Sequence, residues 1–413
     1  MRTTILTLCL IVTGCLATPS CVSEGTTTEP IPVKAIASPA TLDVAAAEVV
    51  PQSLLTTCPV PSALDTDLTA AAQAAVISLA GVNPTTCPEI SMTETWGGGI
   101  LIFSDSPESP STHGKLYYDD TLAATSGSVY NRIFLYHVNG KASGKMKFTA
   151  LIKNRGGSSG TLTVQKKGTA GPTTSYAYAG KLGFQRWLES TAASGVSVSS
   201  GSWARIDSTF DATKASSANL MHGIWDYSFA QPHTILICAL DETEDPVTAC
   251  PSLSLLTKDT HVRGTFPYAD KVYDSASGVT IDTADDIQQF PLAGNTTNDT
   301  NASGTDITDS SSQSLGGNYG ILYKIHLTVG YSDGRNLGFL FNPRGGGWGG
   351  AVWAMAGLLT GGKFLIPAGS GTTSDNTKGS VEGKYSSAYG APWLQFMPTG
   401  GSSFPLKMVV IPY

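Results

Sequence analysis

The sequence predicts a mainly β protein: two β-sandwich-like units preceded by a short helical segment closed by a disulfide. Three observations carry this reading. Charged residues make up only 14% of the 413, against roughly 25% in ordinary soluble domains, and long surface helices need the missing Glu and Lys. Glycine is abundant, at 45 residues, with Ser and Thr recurring throughout; that suits short strands joined by tight turns. From Trp96 onward, apolar residues recur with a period of two, the spacing of a half-buried strand.

The first residues, "MRTTILTLCLIVTGCLATPSC", place Arg2 before a short apolar stretch at 5–12. A bilayer span needs about 20 apolar residues, so residues 1–15 read as an export signal. Val12-Thr13-Gly14-Cys15 resembles the bacterial lipobox, whose cysteine receives a diacylglyceryl group. Cys15 is therefore the expected lipidation site; an ordinary signal cleaved after Ala17 is the alternative. Leu16, rather than Asp, follows the cysteine, which favours the outer membrane in a Gram-negative host. Residues 16–56 are rich in Thr, Pro and Ala and read as a flexible tether. The expected location is the bacterial envelope, outside the cytoplasm, with the membrane reached through the N-terminal lipid.

Cysteine spacing agrees with export. Cys58 and Cys87 bracket one short segment and Cys238 and Cys250 another; both pairs are expected as local disulfides in an oxidising compartment. Cys21 is left over in the tether. No C-x-x-C spacing occurs, so neither zinc nor thiol redox chemistry is expected.

The elements follow in order. Residues 57–95 form the helical segment: Ser62 to Ala80 is alanine-rich, Ser62 or Asp65 caps it, and Gly81 with Pro84 stops it. The first sandwich-like unit spans 96–258. "ILIFSD" (100–105) is a short apolar strand, and "YNRIFLYHVNG" (130–140) is apolar on both faces, hence central. "KMKFTALIKN" (145–154) alternates. A helix is expected near 177–191, where Phe184, Trp187 and Leu188 share a face. A boundary near Lys258–Thr260 opens the second unit, 259–413. There a polar loop is expected at 294–317, and "YGILYKIHLTVG" (319–330) is the cleanest amphipathic strand, with Ile321, Tyr323, Ile325, Leu327 and Val329 inward.

Several patterns mimic ligand sites. Gly345, Gly347 and Gly350 satisfy G-x-G-x-x-G, but a dinucleotide site needs a βαβ unit, and this stretch sits among strands. Gly357, Gly362 and Lys363 approach a phosphate loop, yet Phe364 stands where a hydroxyl must reach Mg²⁺. Glycines that admit close backbone approach explain the stretch better. Asp299, Asn301, Ser303 and Gly304 match part of a calcium loop, but Ser310 replaces its final Glu and no helices flank it. No G-x-S-x-G or H-E-x-x-H occurs. Net charge is −7 without a basic run, which excludes a nucleic-acid partner. No nucleotide, metal or other cofactor is expected.

One set of blocks, in order, resembles a known family: "SDSPE" (104–108), "NRIFLYHVNG" (131–140), "LIKNRG" (151–156), "GPTTSY" (171–176), "GFQRWLES" (183–190), "HGIWDYSF" (222–229), "HVRGTF" (261–266), "GNYGILYKI" (317–325) and "NPRGGGWGGAV" (342–352). The family comprises uncharacterised secreted bacterial proteins, some fused to a copper amine oxidase N-terminal-like envelope domain that carries no oxidase activity. A related cyanobacterial family shares the "YHxN" and "GNYG" character. The resemblance spans about residues 100–413. It implies an extracytoplasmic β-rich protein and brings no activity or catalytic residues with it.

The expected function is non-catalytic binding of envelope polysaccharide or a surface protein partner. The expected contact region is the loop around Asn342, Arg344 and Trp348, with Trp353 and Trp393 as further aromatics, because aromatic rings set among glycines offer faces on which a sugar stacks. A secreted hydrolase acting on wall or extracellular polymer is the rival. A purely structural surface protein is the third reading.

Overall fold

A computed structural model describes residues 57–125, 129–355, 363–365 and 374–413. The signal, Cys15, Cys21 and the tether lie outside the described residues, as do Gly357 and Gly362. Four sheets of five or more strands make two sandwiches.

The first sandwich pairs an eight-stranded sheet with a five-stranded one. The eight-stranded sheet runs in the order Ser311–Leu315, Ala302–Asp306, Arg263–Phe266, Leu101–Ser104, Asn131–Val138, Leu220–Phe229, Gly160–Thr173, Val196–Val198. The five-stranded sheet is built on Gly114–Leu122, His233–Asp241 and Lys145–Asn154, with the short Ala215–Ser216 and Trp203–Arg205 beside the last. Between them Ile133, Leu135, Trp225 and Tyr227 meet Leu116, Phe148, Ile152 and Ile235. The alternating run "KMKFTALIKN" forms its strand over Lys145–Asn154, as its pattern predicts.

Why "NRIFLYHV" carries apolar residues on both faces now has a cause. Asn131–Val138 lies in the middle of the eight-stranded sheet, and that sheet is covered on both faces. Ile133 and Leu135 enter the first core, while Phe134, Tyr136 and Val138 enter a second, larger one. A strand buried on both sides cannot alternate. Helix Tyr176–Glu189 packs on the second face through Ala179, Phe184, Trp187 and Leu188.

The second sandwich pairs two further sheets. One runs Met92–Gly97, Asp270–Ser275, Leu322–His326, Trp393–Phe396, Val352–Met355, Lys363–Leu365. The other runs Val76–Ser78, Lys378–Tyr385, Leu337–Pro343, Leu406–Pro412, Gln288–Leu292. Tyr323, Ile325 and Phe396 from the first meet Phe339, Phe341 and Met408 from the second.

Three expectations are corrected. The boundary near Lys258–Thr260 does not separate the sheets: Arg263–Phe266 pairs with Leu101–Ser104, so strands from both halves share the eight-stranded sheet. The helix expected over 62–80 stops early, at Ser62–Ala70. Ala74 takes a φ of 64° and Val76–Ser78 pairs with Lys378–Tyr385; a sheet edge with free bonding groups overrides the alanines' helix preference. Finally, the polar stretch 294–317 contains a hairpin, Ala302–Asp306 with Ser311–Leu315. Its Ser- and Thr-rich strands sit at a sheet edge and show little apolar signal.

The cysteines divide. Cys58 and Cys87 are disulfide-bonded, and with helix Ser62–Ala70 they cap the outer face of Lys378–Tyr385 and Leu406–Pro412. Cys238 and Cys250, expected as a second disulfide, are instead buried free thiols in one apolar cluster with Leu151, Leu236 and Leu240. Burial and the neighbouring Cys250 push the Cys238 thiol well up, which disfavours the thiolate that disulfide exchange requires. Opening the first disulfide frees a 29-residue separation, worth about 2–4 kcal/mol. The double variant Cys58→Ser, Cys87→Ser is therefore expected to be nicked by protease within 58–87 under conditions where the wild type resists. Equal resistance of the two proteins would contradict the capping role.

Candidate functional site

Two surface hollows meet where the six-stranded sheet ends against the eight-stranded one. The smaller, about 260 Å³, is lined by Trp96, Tyr268 and Thr300 to Ser303. The larger, about 570 Å³, is lined by Ile100, Asp119, Thr121, Thr265 and Gly304 among others. Pro267 and Ser303 line both, so the two hollows are neighbours, and together they are termed the groove. The groove exists because two strands part. Arg263–Phe266 and Ala302–Asp306 pair only at Thr265 with Thr305. At that point Gly264 and Gly304 let the backbones close: a Cβ on Gly304 would sit 2.5 Å from the Phe266 ring.

An aromatic pair stands at one end. The Trp96 and Tyr268 rings are 6.2 Å apart and tilted by 32°. Tyr268 is 43% exposed, and Trp96 is half-buried at the end of an edge strand. Beneath Trp96 lies Lys271, whose ammonium is 4.4 Å from the ring centroid. Lys271 is fully buried, and so is its partner Asp299, at 2.5 Å; Glu94 lies at 3.0 Å. The Lys271 ammonium also donates to the Thr300 carbonyl at 2.7 Å. The Tyr323 hydroxyl donates to Asp299 at 3.1 Å, and the Tyr273 hydroxyl sits between Glu94 and Asp299. Burial outweighs the pull of Lys271 and raises the Asp299 carboxyl above its ordinary value. This network holds Trp96 from below and fixes the 299–303 backbone beside it.

Asp119 forms the floor at the other end. Thr121 donates to one oxygen through its amide (2.8 Å) and hydroxyl (2.7 Å), and Thr265 donates to the other at 2.6 Å. The Tyr117 hydroxyl bonds Thr265 in turn, at 2.8 Å. Both oxygens are thus engaged, so the carboxylate shapes the floor. The exposed chemistry of the groove is aromatic faces, a carboxamide and hydroxyls.

The residues expected from sequence are placed otherwise. Trp348 is 1% exposed and packs edge-on against Phe341 in the main core. Asn342 is fully buried and donates to the carbonyls of Asn376 and Lys378. Arg344 is half-buried; its amide donates to the Pro405 carbonyl at 3.0 Å and its guanidinium reaches the Asn342 carboxamide oxygen at 3.5 Å. The glycines here do what close approach requires: a Cβ on Gly345 would lie 1.9 Å from the Phe404 carbonyl oxygen. Trp348 therefore contributes packing and offers no face to a ligand. Trp353 and Trp393 lie elsewhere, on the paired strands Val352–Met355 and Trp393–Phe396. Trp353 pairs with Gln395, so Trp393 lies on the same face of the six-stranded sheet. Trp353 is half-buried on the core, while Trp393 is 37% exposed and meets the His326 ring at 4.2 Å.

The partial calcium motif is also divided by the fold. Asp299 turns inward to Lys271, while Asn301 and Ser303 line the groove. The buried Lys271 ammonium is the partner of the Asp299 carboxylate.

A second polar cluster lies at the far end of the strand Leu101–Ser104. Asp105 is pushed well up by burial and then by Glu108; burial also raises Glu108. Asp259 holds His261 up to about 9. Nearby His137 is a core histidine, bonded to Ser104 and to the Pro107 carbonyl, both at 2.9 Å, and lowered to about 4 by burial. Ile100 lines the groove at the near end of this strand, so Asp105 stands about 16 Å away at strand spacing.

Sequence reasoning missed Trp96 and Tyr268. A signal existed for the first: Trp96 precedes Gly97, Gly98 and Gly99, the same aromatic-among-glycines pattern that drew attention to Trp348.

Among the described residues no helix is long and apolar enough to cross a membrane. No family model and no curated protein matches the chain. One solved structure that aligns with it is that of the PBSX exported protein XepA, with 9% identity, covering 79% of this chain and 88% of that one, at a TM-score of 0.14.

Proposed function

We propose that this chain is an exported, lipid-tethered envelope protein that binds an uncharged polysaccharide without acting on it. The observation that carries the reading is the groove, with exposed Tyr268 and half-buried Trp96 set among uncharged polar side chains. The C–H face of a pyranose stacks on such rings. Its hydroxyls meet the carboxamide of Asn301 and the hydroxyls of Ser303 and Thr121. The one cation beneath, Lys271, is neutralised by Asp299 and Glu94, so nothing in the groove selects for anionic sugars. Export and lipidation at Cys15 rest on the sequence of the first residues.

Binding is favoured over hydrolysis by the floor. Glycoside hydrolysis uses two carboxyl groups about 5–10 Å apart across the bond. The lining supplies one, Asp119, and its oxygens are taken by Thr121 and Thr265.

The test is retention of purified protein on a panel of neutral and anionic polysaccharides. Wild type is expected to bind a neutral member, with little change between low and high salt. Tyr268→Ala, a surface change, is expected to weaken binding at least tenfold, about 1.4 kcal/mol. Salt-sensitive binding to anionic polymers alone, binding to an envelope protein instead, or an unaffected Tyr268→Ala variant would each overturn the reading.

A further inference from the structure

The geometry points to a divalent transition-metal site of the zinc class, formed by His113, Asp241 and Glu244 on the five-stranded sheet. The three come from two adjacent strand ends. Gly114 pairs with Ala239 in the antiparallel ladder of Gly114–Leu122 and His233–Asp241. His113 thus stands beside Asp241, and the turn after Asp241 brings back Glu244. One ligand atom from each residue lies within 4.8 Å of the other two.

The distances suit a small tetrahedral ion. His113 Nδ1 is 3.0 Å from Glu244 Oε1 and 3.6 Å from Asp241 Oδ2. Ligands about 2.0–2.1 Å from a tetrahedral Zn²⁺ stand about 3.3 Å apart, and the two measured edges bracket that value. A proton on Nδ1 can satisfy one of these carboxylates; a cation at the centre satisfies all three groups.

The outer oxygens are already anchored. Asp241 Oδ1 is bonded by the Lys141 ammonium, and Glu244 Oε2 accepts from the Asp241 amide at 2.7 Å. Asp241 therefore turns its remaining oxygen toward the imidazole, and Glu244 faces it with both, Oε1 at 3.0 Å and Oε2 at 3.2 Å, as ligands oriented by outer partners do. Lys141 offsets part of the negative charge, so affinity is expected to be moderate. Three protein ligands leave an open position for water. Calcium, which takes six to eight oxygens, suits neither the nitrogen nor the count.

The other surface histidines lack this convergence. His261 meets Asp259 through Nδ1 and Glu108 through Nε2, on different edges of the ring, so no single ion reaches both through it. His326 meets Asp274 alone among the carboxylates.

The site is tested by titrating Zn²⁺ into purified, tag-free protein whose accessible thiols have been alkylated, in competition with a chromophoric chelator. Wild type is expected to bind one equivalent. His113→Ala and Glu244→Gln are each expected to weaken binding at least tenfold, while His326→Ala leaves it unchanged. Co²⁺ is expected to give a four- or five-coordinate visible spectrum without a thiolate charge-transfer band. All three variants carry changes at exposed or half-buried positions, and an unaltered Tm checks their folding. Wild-type binding no stronger than that of His113→Ala, equal loss in His326→Ala, or a thiolate band would overturn the assignment.

Discussion

Replacing Arg132 by methionine is expected to cost about 3–5 kcal/mol of stability and to lower Tm by roughly 5–10 °C. Arg132 sits on the central strand Asn131–Val138 and is 2% exposed. Its guanidinium grips Asp226 through two parallel bonds, 2.7 and 2.9 Å, and reaches Asp270 at 3.2 Å. It also donates to the carbonyls of Ala269 and Gly320 and lies 5.0 Å above the Trp187 ring. Asp226 belongs to the eight-stranded sheet and Asp270 to the six-stranded sheet. One side chain thus ties the two sandwiches together. Methionine fills similar space but leaves two buried carboxylates and two carbonyls short of a donor. Arg132→Lys keeps the charge and loses the fork, so it is expected to fall between the two. Thermal unfolding of the three proteins checks the order; a methionine variant as stable as wild type would show that the network contributes nothing net.

The second large effect is on pH dependence. Glu382 is fully buried on Lys378–Tyr385, with Ser380 bonded to one oxygen and the other, Oε2, without a hydrogen-bond partner. Burial pushes its carboxyl up to about 8 from an ordinary value of 4.5. The folded state therefore holds this proton more tightly than the unfolded chain. Its contribution is complete below about pH 4.5 and is lost as pH rises toward 8, at about 1.4 kcal/mol per pH unit where the two states differ by one full proton. Above pH 8 both states are ionised and the slope vanishes. Glu382→Gln removes the titration, so the difference in stability between wild type and variant is expected to move in the variant's favour from pH 5 to 8. Other titrating groups are common to both proteins and cancel in that difference. Denaturant unfolding across this range checks it, and a constant difference would contradict the assignment.

Much of the architecture could be read from period and composition. "KMKFTALIKN" alternates because one face meets a core and the other a thin cover, and its strand matches residue for residue. Phe184, Trp187 and Leu188 mark the buried face of their helix. What the local pattern hid was pairing at a distance. Val76–Ser78 follows five residues, 71 to 75, four of them alanine, and is a strand only because Lys378–Tyr385 offers an edge. The hairpin at 302–315 has polar strands and finds its place beside Arg263–Phe266.

Where the aromatic rings stand was not legible locally. A tryptophan beside glycines occurs at both Trp96 and Trp348. At Trp348 the neighbouring strands close over the ring, and Phe341 meets it edge-on. At Trp96 the strand lies at a sheet edge, and the ring stays partly open beside Tyr268. Burial decides between them, and burial depends on partners far away in the chain. Tyr268 lies in the link "PYAD" (267–270) and carries no pattern at all.

The groove and the sheet face that carries Trp353 and Trp393 are the two aromatic surfaces at issue, and one comparison separates them. Titration calorimetry with the polysaccharide fragment that wild type binds is to be run on Trp96→Ala and Trp393→Ala side by side. The groove predicts at least a tenfold loss for Trp96→Ala and wild-type affinity for Trp393→Ala. The reverse pattern, with Trp393→Ala weakened and Trp96→Ala unaffected, would contradict it.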